Sequence, residues 1–99
     1  MMVAFDEVVD KITDAVRQVE ADAGASPVLV AVVGEFQAKL AKATKHATGG
    51  LPDHDSVVEL EQAGDSAKVA AEADAGLSPD AQDAVLAAHL AICKLKAGA

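Results

Sequence analysis

Residues 26–46 read SPVLVAVVGEFQAKLAKATKH, and the choice between strand and helix for this stretch decides the fold. Val28 to Val33 is a run of six apolar residues, which by itself suits a buried strand. The continuation decides against a strand. Leu29, Val32, Val33, Phe36, Leu40 and Ala43 recur at helical spacing as far as His46. Ser26 is a good N-cap, and Pro27 fits the first helical position, where no N–H is needed. Lys39, Lys42 and Lys45 gather toward the far end, where the helix dipole favours cations.

Three further segments carry the same period. Before it, Phe5, Val8, Val9, Ile12, Val16 and Val19 form a stripe. Asp6, Glu7, Asp10 and Asp14 sit early in that segment, and Gly24 is placed to stop it. After it, Thr48-Gly49-Gly50-Leu51-Pro52-Asp53 is the clearest loop. The third segment starts near Asp55, and Ser56 and Glu59 have the spacing of a capping box. Its stripe of Val57, Leu60, Gly64, Ala67 and Ala71 becomes unusually small toward the end. Ser78-Pro79 opens the fourth segment, which carries Ala81, Ala84, Val85, Ala88, Ile92 and Leu95. Leu86, Leu90 and Cys93 widen this last stripe, as in a helix buried on more than one side. The two halves share a plan without a residue-level repeat. Helices near 3–23, 27–46, 55–74 and 79–96, joined by short loops, predict an all-α, up-down-up-down four-helix bundle with a single domain over 1–99.

The composition agrees. The 99 residues are 52% hydrophobic and 2% aromatic, with 23 Ala and 13 Val against eight Leu. Such a chain is too apolar to be disordered, and a single cysteine forms no internal disulfide. Ala adds little apolar area, so the core is expected to be thin and the helices close. A thin core predicts a marginal monomer, which self-association would stabilise. The acidic N-terminal stretch MMVAFDEVVDK does not read as a signal peptide. No apolar run approaches the roughly 20 residues of a membrane span. The expected location is therefore cytoplasmic.

The net charge of -8 disfavours nucleic acid and anionic membranes as partners. It divides unevenly: -4 over residues 1–25, +2 over 26–50, -7 over 51–80 and +1 over 81–99. In an up-down bundle, Asp6, Glu7, Asp53 and Asp55 would then share one end with Lys42, Lys45, Lys94 and Lys96.

All three histidines and the cysteine fall in the same half of such a bundle. His46 ends the second helix, His54 precedes the third, and His89 and Cys93 share a face of the fourth at i, i+4. Imidazole and thiolate are ligands for zinc and similar ions, so His46, His54, His89 and Cys93 are candidate metal ligands. The plain alternative is a hydrogen-bonded His89 and a small core Cys93. Asp55-Ser56-Val57 resembles the Asp-Ser-Leu of acyl carrier proteins. That resemblance implies phosphopantetheine on Ser56 and covers three residues, with Val57 in place of the leucine. His46-Ala47-Thr48-Gly49-Gly50 departs from the histidine phosphotransfer pattern, since Gly49 stands where that family has lysine. No phosphate-binding loop follows Gly49-Gly50. Gly64, Ala67 and Ala71 would admit a close helix, from this chain or from a partner.

With no catalytic constellation and no cofactor signal, the leading expectation is a non-enzymatic interaction or assembly module that self-associates as a homo-oligomer. The second is a metal- or small-ligand-binding bundle using His89, Cys93 and a loop histidine. The third is a carrier protein modified at Ser56.

Overall fold

The computed structural model describes residues 5–49 and 51–98. It contains four helices, α1 (Phe5–Ala21), α2 (Pro27–Lys45), α3 (His54–Ala73) and α4 (Pro79–Gly98). Each packs on two neighbours in the cyclic order α1, α2, α3, α4, which is the expected four-helix bundle. The expected first segment near 3–23 ends at Ala21, and its residues 3 and 4 lie outside the described residues. No helix among the described residues is long and apolar enough to cross a membrane.

The periodic stripes form the core. Val8, Ile12, Val19, Leu29, Val33, Phe36, Leu60, Val85 and Ile92 are fully buried. Gly64, Ala67 and Ala71 are buried among them. The small stripe therefore faces this chain's own helices and is closed to a partner. A β-carbon on Gly64 would lie 3.4 Å from Ile92 Cδ1, 3.5 Å from His89 Cδ2 and 3.6 Å from Phe36 Cζ. Gly64 thus packs against the Phe36 ring and α4 at ordinary contact distance.

Two helix starts behave differently. Ser26 caps α2 as expected, its Oγ accepting from Leu29 N at 3.2 Å. At α3 the cap is Asp53, which accepts from Ser56 N at 3.1 Å. Ser56 is buried in the first turn and does not cap. Aspartate one residue after Pro52 starts the helix earlier than a serine cap would, and this leaves Glu59 free to pair with Lys39 and Lys42 at 3.0 and 3.1 Å. Lys96 likewise reaches Glu61 at 2.8 Å. The lysines thus find glutamates in the second turn of α3, and the expected meeting with first-turn aspartates is replaced by these pairs.

The expectation that the halves lack a residue-level repeat is corrected by the loops. Residues 20–27 read EADAGASP and residues 72–79 read EADAGLSP, identical at all but one position and 52 apart. The same offset superposes the burial pattern. Phe5, Val8, Ile12, Ala15 and Val19 correspond to Val57, Leu60, Gly64, Ala67 and Ala71, and Leu29, Val33, Phe36, Leu40 and Ala43 to Ala81, Val85, Ala88, Ile92 and Leu95. The bundle is two copies of one helical hairpin related by a pseudo-two-fold axis.

The two loops meet on that axis. Asp22 accepts from Gly24 N in its own loop and from Ser78 N in the other, both at 2.8 Å. Asp74 accepts from Gly76 N at 3.1 Å and from Ser26 N at 2.8 Å. Gly24 and Gly76 do not act as left-handed helix stops, since Gly49 is the one described residue with positive φ. Their role is contact: a β-carbon on either would collide with the carbonyl oxygen of the other.

Three outcomes follow. Gly24→Ala or Gly76→Ala is expected to cost about 1–3 kcal/mol by forcing the loops apart. Gly64→Ala, whose β-carbon meets only ordinary contacts, should instead stabilise by about 0.5–1 kcal/mol, since glycine is costly inside a helix. Urea unfolding of the three variants checks both signs. Backbone N–H donors, from Ser78 foremost for Asp22 and from Ser26 foremost for Asp74, hold both carboxyls below the ordinary range. Their contribution is complete above the unfolded value of about 3.9 and is lost as pH falls through the lower folded values. Unfolding measured from neutral to acidic pH should lose part of this dependence in the Asp22→Asn, Asp74→Asn double variant.

Candidate functional site

The densest set of chemistry-bearing side chains lies on the α3–α4 face. His89 and Cys93 project from α4 one turn apart, and the hairpin brings Asp65 and Glu61 of α3 beside them. His89 Nε2 lies 2.6 Å from Asp65 Oδ1. Cys93 Sγ lies 3.8 Å from the same Nε2 and 4.0 Å from Nδ1. Lys96 and Glu61 close the lower edge as an ion pair. The His89 ring edge packs over Gly64, with Cδ2 3.5 Å from where a β-carbon would stand, an ordinary contact distance.

The arrangement sets what the group can do. An ionised Asp65 accepts a proton-bearing Nε2, which fixes the tautomer and the ring orientation. Nucleophilic catalysis would need the other ring nitrogen aimed along the thiol, at hydrogen-bond distance. Here Sγ is nearly equidistant from both nitrogens, at the long end of sulfur hydrogen bonding, so neither is aimed along the thiol. Burial first, then the carboxylates of Glu61 and Asp65, push the Cys93 thiol up, which keeps it as the weakly reactive thiol.

The four candidate metal ligands do not assemble. His89 and Cys93 are together, while His46 is exposed at the end of α2 and His54 is exposed at the start of α3. Among the described residues, no set of three or more His, Cys, Asp or Glu is arranged to hold a metal ion. Ser56 is 5% exposed, and its backbone N–H donates to the Asp53 carboxylate. Asp65 and Glu61 were not among the sequence candidates. Their sequence signal is weak: they lie on the charged face of α3, the arm of the hairpin that α4 folds back against.

The thiol geometry has a direct readout. The pH midpoint of iodoacetamide alkylation at Cys93 is expected above the value of about 8.5 for a free cysteine, and Asp65→Asn should lower it. A midpoint at the free value in the folded protein would contradict the described environment. Compared with protein families, characterised proteins and solved structures, the chain matches none.

Proposed function

We propose that this chain is a non-enzymatic assembly module that associates with copies of itself. The observation that carries the reading is the asymmetry between its halves at the surface. Val28 is 68% exposed and Val69 is 65% exposed, and the residues equivalent to them in the other half are Asp80 and Arg17. Val69, Ala70 and Ala73 line a shallow, mostly apolar depression on α3, together with Asp65 and Ser66. The equivalent stretch of α1 presents Arg17, Gln18 and Asp14. At the Val28–Asp80 and Arg17–Val69 pairs one half carries a charge and the other an exposed valine, with the first half apolar at Val28 and the second apolar at Val69. Apolar surface that the fold does not require gains free energy when a second surface covers it. The His89 geometry supports the non-enzymatic half of the reading, since it orients a ring without activating a nucleophile.

Sedimentation velocity from micromolar to millimolar concentration tests the proposal. The weight-average mass should rise above the 10.0 kDa chain, and the melting temperature should rise with it, because association stabilises by mass action. A strict monomer throughout, melting cooperatively at one concentration-independent temperature, would overturn it.

A further inference from the structure

The core faces of α2 and α4 are equivalent under the 52-residue repeat, but their outer faces are not. The middle of α2 turns Ala31, Gly34 and Ala38 outward, all exposed and none charged. Gly34 has open space around it, with nothing within 4 Å of where a side chain would begin. A glycine inside a helix is costly, and unlike Gly64 this one is not explained by any contact within the chain. The positions of α4 equivalent to Gly34 and Ala38 are Leu86 and Leu90. Leu90 is 53% exposed and Leu86 is half-buried, so α4 is not covered on a second side as its sequence suggested. One outer face is therefore a shallow trough and the other a ridge. They stand on helices that do not contact each other across the bundle.

Resting on the self-association proposed above, we infer that the second copy docks head to tail, with its α4 ridge in the α2 trough and the two helices antiparallel. Charge selects this occupant and this direction. The end of α2 carries Lys45 together with Lys42, which also pairs with Glu59 of its own chain, and the start of α4 carries Asp80 and Asp83. When Leu90 sits over Gly34 in an antiparallel pair, Leu86 falls over Ala38, and Lys42 and Lys45 fall beside Asp83 and Asp80. Small residues against branched ones let helix axes approach closely, and the paired helix dipoles oppose. Because α2 and α4 lie at opposite corners, both contacts cannot close between the same two copies. The contact is heterologous and extends into an open chain, each copy turned end over end relative to the last.

The experiment uses Gly34→Leu, which fills the trough, and Leu90→Asp, which removes the ridge. Each alters one face and leaves the other intact, and melting by circular dichroism checks that both variants fold. Wild type should grow past a dimer with concentration. Each variant alone should sediment as a monomer. An equimolar mixture should form a complex of about 20 kDa, twice the 10.0 kDa chain, because the intact ridge of one variant fits the intact trough of the other. If wild type associates but either folded variant associates equally well, or if the mixture stays monomeric, the head-to-tail contact is wrong and self-association stands by another surface. A monomeric wild type overturns both.

Discussion

The exchange of hydrogen bonds between the Asp22 and Asp74 loops is the constraint on which the rest of the bundle depends. Each carboxylate turns its own loop and holds the backbone N–H of the serine that precedes the helix the other loop begins. Charge-assisted bonds of this kind are stronger than neutral ones, and four of them meet where Gly24 and Gly76 touch backbone to backbone. The contact fixes the ends of α1 and α3 against the starts of α2 and α4. The relative height of the two hairpins follows from it, and so does the register of their core residues.

That register explains how a core with two phenylalanines and eight buried alanines is filled. The halves exchange large for small at equivalent positions. The first half has Ile12 and Phe36 where the second has Gly64 and Ala88. Phe36 packs toward Gly64, so volume lost from one hairpin is supplied by the other. Close packing makes such compensation necessary, because an unfilled space of side-chain size is destabilising.

Much of the fold was legible because burial imposes the 3.6-residue period on the sequence. The SPVLVAVV run resolved into a helix once Phe36, Leu40 and Ala43 continued its stripe. Helix starts were less legible. Ser56 and Asp53 both precede apolar residues at capping distance, and only the backbone shows which one caps. The repeat is hard to read because its identity is concentrated in one eight-residue loop stretch and scattered elsewhere, while the helices keep burial and exchange size and charge. The site was half legible: His89 and Cys93 are spaced on one helix, but Asp65 and Glu61 reach them only through the pairing of α3 with α4. Long-range partners leave no local period, so Asp65 looked like any exposed acid.

The reciprocal loops also carry a statement about construction. The interfaces α1–α4 and α2–α3 are the same interface seen twice, so the domain has the organisation of two hairpin subunits linked through residues 46–53. Two separate identical hairpins would be bound by their symmetry, and any surface mutation would appear in both. Fusion releases that bond. Each half can then drift while the shared EADAG clamp keeps the geometry, and a closed, self-matched pair acquires a front and a back.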